Sequence, residues 1–113
     1  MNDTTVEEIQ VDIDEAKATI EMMDSLNRLG KNKDFEKIIN DGYFKEEAYR
    51  LVHLKAAPAM QAPERQEALL KAIDAIGALQ QHFHMIYVMG QQAQDALQQA
   101  DIALEEMAME GGI

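Results

Sequence analysis

The sequence predicts an all-α fold: a long antiparallel helical hairpin or coiled coil, with two short helices packed at its junction. Three observations predict it. First, one seven-residue frame places Leu69, Ile76, Phe83, Gly90, Leu97 and Leu104 at one seam position. It places Ala72, Leu79, Ile86, Ala93, Ala100 and Met107 at the other, so every seam position over more than five heptads is apolar or glycine. That is the pattern of a coiled coil or long-helix bundle. Second, the two prolines and most of the six glycines fall at Gly30, Gly42, Pro58, Pro63, Gly111 and Gly112, leaving long stretches of Ala, Leu, Met, Glu, Gln and Lys between them. These are strong helix formers. Third, no stretch alternates with a period of two in β-branched or aromatic residues, as a strand would.

The first helix is expected over about 5–29. Thr4 with Glu7, or Thr5 with Glu8, has capping-box spacing. Val6, Ile9, Ile13, Ala16, Ile20 and Met23 form an apolar seam at steps of three and four, and Gly30 is a natural C-terminal stop. A short helix over about 34–40 follows, with Phe35, Ile38 and Ile39 as its buried side. Asn40-Asp41-Gly42 then supplies turn chemistry. The third helix covers about 44–56, with Ala48, Leu51 and Val52 inward, Glu46 and Glu47 suiting its N-terminal end, and Pro58 stopping it. Pro63 suits the first turn of the fourth helix, where a missing N–H is harmless. Running from 63 to about 109, that helix would be ~70 Å long at about 1.5 Å per residue. Residues 1–4 and 110–113 are expected to fray.

At 113 residues the chain is read as a single helical domain. The first helix, half as long as the fourth, can cover only part of it and could pair with either end. The direct register sets the N-terminus beside Met107 and the Leu29 end beside Phe83 to Tyr87. The short helices then pack on Leu69 to Leu79, where Leu70 and Ile73 widen the apolar face. The strip Gly90, Ala93, Ala96, Ala100 and Ala103 would let the first helix come close. The segment Phe83, Met85, Ile86, Tyr87, Val88 and Met89 is apolar nearly all round its helix, and such a helix is normally covered on every side. A second copy of the chain, or convergence of the shorter helices, would cover it, so an oligomer is expected.

Ten Lys and Arg stand against 21 Asp and Glu, a formal net charge of −11. Such a chain repels phosphate backbones, so direct nucleic-acid binding is disfavoured. The longest apolar run, Met85 to Gly90, is far too short to span a bilayer, and the acidic N-terminus is unlike a signal peptide, so no membrane partner is expected. The middle of the chain is neutral and the two arms hold the excess acid. In the expected register Asp12, Asp14 and Glu15 share one end with Asp101, Glu105, Glu106 and Glu110. Two readings of that end stay open: a solubilising tip, or a docking face for a basic partner. The candidate protein-interaction residues are therefore Phe83, Met85, Tyr87, Val88 and Met89, with Asp12, Asp14, Glu15, Asp101, Glu105 and Glu106.

Little in the chain suggests catalysis. There is no cysteine. His82 and His84, two apart on a helix, point to different sides, and His53 has no partner at metal-ligand spacing. Glu-x-x-His, the diiron signature of bundles, is absent. So is a Gly-rich phosphate loop. The one serine, Ser25, lacks a His/Asp signature. No enzyme activity, metal or cofactor is expected. The eight methionines suit core filling or an adaptable binding surface.

The stretch Asp34-Phe35 through Asp41-Gly42-Tyr43-Phe44-Lys45-Glu46-Glu47-Ala48, then Arg50-Leu51-Val52-His53-Leu54-Lys55-Ala56, together with Ile73-Asp74-Ala75-Ile76-Gly77, resembles small helical proteins encoded by tailed bacteriophages. The similarity spans about residues 30–85. It implies a structural or virion-assembly protein, in the virion or the bacterial host cytoplasm, and carries no functional residues over. The rival expectation is an acidic phage effector that binds a basic host protein, in the manner of a nucleic-acid charge mimic.

Overall fold

A computed structural model describes residues 5–111. All the regular structure among them is helical: α1 (Val6–Gly30), α2 (Lys33–Phe35), a π-helix (Glu36–Glu47), α3 (Ala48–Ala56), a 3₁₀ turn (Pro58–Met60) and α4 (Pro63–Gly111). The expected fraying of 1–4 and 112–113 lies outside the described residues. Glu110 and Gly111, expected to fray, instead belong to α4, because Ala108, Met109 and Glu110 are good helix formers with no breaker before them. The 49 residues of α4 run without interruption.

The chain divides into two compact units. One comprises Met1–Leu26 and Met85–Ile113 and contains an antiparallel hairpin of α1 with the C-terminal half of α4. Its α1 opens on a capping box: Thr5 N–H donates to Glu8 Oε2 at 3.2 Å and Glu8 N–H donates to Thr5 Oγ1 at 3.1 Å. Ile9, Ile13, Ala16 and Met23 are buried as the seam requires, and Val6 at its start stays exposed. Gly90 and Ala93 are buried on α4. A Cβ placed on Gly90 would fall 2.6 Å from Met23 Cβ, so the backbones meet closely there and set the hairpin's register.

The other unit, Asn27–His84, packs the π-helix and α3 on the N-terminal half of α4. Its core is Leu51, Leu69 and Ile76, flanked by Tyr43, Phe44, Leu54 and Ile73. Phe83 lies between Phe35 and Phe44, with ring centroids 6.0 Å from each. Each well-buried Leu or Ile of this kind contributes about 1.5–3 kcal/mol of transfer free energy.

This unit corrects four sequence expectations. The two short helices are one continuous helical run, because Asn40-Asp41-Gly42 makes no turn; the described glycines all have ordinary φ. The run is π-wound because Phe35, Ile39, Tyr43 or Phe44, and Ala48 recur at steps of four to five. An i→i+5 ladder aligns that spacing, and all five are half-buried. A Cβ on Gly42 would meet the Lys37 carbonyl oxygen at 3.0 Å, five residues back, so glycine suits this tight point. The altered winding also turns Ile38 and Val52 outward, 64% and 60% exposed, where inward positions were expected. Leu70 is likewise exposed, one position off the seam residue Leu69.

Helix ends follow local chemistry. α1 stops at Gly30 without a left-handed residue; Lys31 N–H and Asn32 N–H donate to the carbonyls of Arg28 and Leu29, tightening the last turn. Asn32 then caps α2, its Oδ1 accepting from the N–H of Asp34 and Phe35. Ala57 is extended before Pro58. The loop into α4 is tied down by side chains. Gln61 and Gln66 both donate to the Lys55 carbonyl at 2.9 and 3.0 Å, and Arg65 Nη1 donates to the Ala59 carbonyl at 2.8 Å.

Candidate functional site

The hairpin unit carries an open groove of about 830 Å³ between α1 and the C-terminal half of α4. From α4 it takes Met89, Gln92, Ala93, Ala96, Gln99, Ala100, Ala103, Glu106, Met107 and Glu110. Ile9, Asp12, Glu15, Ala16 and Thr19 come from α1. Both sets recur at steps of three and four, so each is a stripe along one helix flank. The α4 stripe adds a third line, Met89, Ala96, Ala103 and Glu110, beside the heptad seam. Alanines make the floor because α1 is drawn against Gly90 and Ala93 while Ala96 remains exposed and Ala100 and Ala103 half-exposed. The small-residue strip therefore divides: its first part is packed by α1 and its second part opens into the groove.

Of the candidate acids, Asp12, Glu15 and Glu106 line this groove together with Glu110. Asp14, Asp101 and Glu105 are exposed on the same unit outside its lining. Asp14 accepts a hydrogen bond from Gln10 Nε2 at 3.1 Å. Thr19 Oγ donates to the Glu15 carbonyl at 3.0 Å. A smaller apolar hollow of about 260 Å³ lies on the same unit, lined by Ala18, Thr19, Met22, Ile86 and Met89. Met22, Met85, Tyr87 and Met89 are all 40% or more exposed, so this unit presents an apolar and sulfur-rich surface. Val88 is half-buried. Phe83 is engaged in the aromatic cluster of the other unit. Thr19, Gln92 and Gln99 were not among the candidates read from the sequence. The signal that marks two of them is the polar seven-residue line Gln92, Gln99 and Glu106 beside the Met89 line.

Charge is sharply partitioned. Over its sequence the hairpin unit holds thirteen acids and one base, Lys17, a net −12. The other unit holds eight acids and nine bases, a net +1. Ion pairs Lys45–Asp41 at 3.5 Å, Lys71–Glu67 at 3.3 Å and Arg50–Glu47 lie in the second unit. The hydrogen bond from Arg50 holds the Glu47 carboxyl below its ordinary range, and the same bond raises Arg50. Arg50 is exposed and Glu47 only half-buried, so the pair is worth little to the fold.

Among the described residues no group of three His, Asp or Glu is placed to hold a metal ion. His82 and His84 are exposed, and the His53 ring lies tilted against that of Tyr49 with centroids 4.3 Å apart. Among the described residues no helix is long and apolar enough to cross a membrane. No protein-family model, curated protein or solved structure matches the chain.

Proposed function

We propose that this chain is a non-enzymatic structural or assembly protein that works by helix-mediated protein contacts, in the bacteriophage setting implied by the resemblance of residues 34–56 and 73–77. The observation that carries the contact reading is the hairpin unit. It concentrates a net charge of −12 and also leaves Met22, Met85, Tyr87 and Met89 in solvent. A solubilising tip needs the acids but not the exposed apolar side chains. A docking face uses both: apolar contact for affinity, carboxylates for steering a basic partner. The setting is the virion or the infected cytoplasm, and the partners are a basic-surfaced protein and further copies of the chain.

The test is an association-rate series against salt with the captured partner. Glu105→Lys with Glu106→Lys slows association and flattens its salt dependence, whereas reversals at exposed sites in 31–68 do neither. Binding that ignores both salt and arm charge overturns the reading. A second reading is favoured by one regularity. Glu7, Asp14 and Glu21 are exposed at seven-residue intervals along α1, a line of carboxylates about 10 Å apart at about 1.5 Å per residue. Such a line suits an effector that occupies the nucleic-acid face of a basic host protein. Mass spectrometry of purified virions separates the two: stoichiometric presence supports the assembly protein, and absence supports the effector.

A further inference from the structure

The groove of the hairpin unit has the shape of a missing helix. On α4 its lining runs from Met89 to Glu110, about 32 Å at about 1.5 Å per residue. It is open along that length, unlike an enclosed small-molecule pocket, which buries most of its ligand. Its floor is Ala96, Ala100 and Ala103, which let another backbone approach closely. Three adjacent seven-residue lines on this half of α4 are apolar over most of their length. A helix in a two-stranded pair needs only two such lines, and the third faces a further neighbour.

Charge decides what that neighbour is. The rim carries Asp12 and Glu15 from α1 and Glu106 and Glu110 from α4, all exposed, and among the described residues no basic side chain lines the groove. A second copy of this hairpin would set −12 against −12. A helix whose small apolar stripe is flanked by Lys and Arg meets the alanine floor and reaches carboxylates on both sides. Resting on the reading above, that the acidic hairpin docks a basic protein, we infer that this groove takes one Lys/Arg-flanked amphipathic helix of a partner protein, as the third strand of a coiled coil.

The probe is a synthetic peptide of about three heptads, with an Ala/Leu stripe flanked by Lys and Arg. A second peptide carries Gln in place of every flanking base. Binding to the full chain is read by fluorescence anisotropy, and helix formation by circular dichroism. The basic peptide gains helix on binding and weakens as salt rises. Ala96→Trp fills the groove from an exposed position and lowers affinity tenfold or more, by about 1.4 kcal/mol. The rim triple Asp12→Asn, Glu15→Gln, Glu106→Gln lowers affinity about tenfold and flattens the salt dependence. The triple Asp14→Asn, Asp101→Asn, Glu105→Gln, outside the groove, changes affinity less than about twofold. The rim triple touches no packed residue, so it carries the test should Ala96→Trp fail to fold.

Five results overturn the inference. Failure of the basic peptide to bind at high micromolar concentration does so, as does equal binding of the Gln peptide. A protein that is dimeric alone and becomes monomeric with Ala96→Trp assigns the groove to a second copy. If Ala96→Trp and the rim triple bind like wild type while the outer triple weakens binding, the groove falls but the acidic docking reading stands. Insensitivity to salt and to both triples removes both.

Discussion

Gly90 tests the hairpin at the point where its helices come closest. A Cβ built there falls 2.5 Å from Met23 Sδ, 2.6 Å from Met23 Cβ and 2.9 Å from Met23 Cγ. Non-bonded carbon atoms rest at about 3.5–4.0 Å. The thioether end of Met23 can swing aside by changing rotamer, but its Cβ moves only with the backbone. Gly90→Ala therefore requires α1 and α4 to separate by about 1 Å near residues 23 and 90, at the usual overpacking cost of about 1–3 kcal/mol. Alanine also favours a helix interior over glycine by about 0.5–1 kcal/mol. Gly77 supplies the control, because it lies in the same helix and a Cβ there meets nothing within 4 Å. Gly77→Ala should stabilise by the propensity term alone. The difference between the two variants cancels propensity and leaves the clash, about 1–3 kcal/mol. Urea unfolding followed by circular dichroism measures it. If Gly90→Ala stabilises as much as Gly77→Ala, the close approach is wrong and so is the register built on it. Met23→Gly combined with Gly90→Ala should recover part of the clash, because it removes the Cβ that cannot swing aside.

Asn32→Ala removes the acceptor for two backbone N–H groups and should cost about 1 kcal/mol in urea unfolding. Leu51→Ala, in the core of the second unit, should cost about 2–5 kcal/mol, whereas Val52→Ala, 60% exposed, should stay within about 0.5 kcal/mol; equal losses would return Val52 to the core and remove the π-winding account. Raising NaCl from about 0.01 M to about 1 M shortens the Debye length from ~30 to ~3 Å. It should raise the urea midpoint, because thirteen acids face one base in the hairpin unit; a midpoint that falls would mean those acids do not repel.

Periodicity carried the long elements because it is local arithmetic. All twelve positions of the Leu69 and Ala72 frame are buried or half-buried in the structure, and Pro63 opens α4 as a first-turn proline should. The Thr5 and Glu8 box needs only residues three apart, and it is there. The candidate acids Asp12, Glu15 and Glu106 were legible as charge without cover, but the groove they share was not. A groove exists only once α1 and α4 are set at a particular separation, and that separation is decided by the meeting of Gly90 with Met23 across 66 intervening positions.

The helical class, the hairpin and the segregation of charge were legible in the residues, since each follows from residue type and spacing along one chain; which half of α4 receives α1 was not, because the apolar seam runs through both halves. Tertiary structure alone decided the winding of residues 36–47. Turn propensity at Asn40-Asp41-Gly42 argued for a break. The gain from keeping Phe35, Ile39, Tyr43, Phe44 and Ala48 on one covered face outweighed it, and the helix ran on as a π-helix. Propensity acts on a few residues and contributes tenths of a kcal/mol to about 1 kcal/mol at each. Burial of several large side chains against a partner helix contributes more, and its geometry cannot be read until the partner is in place.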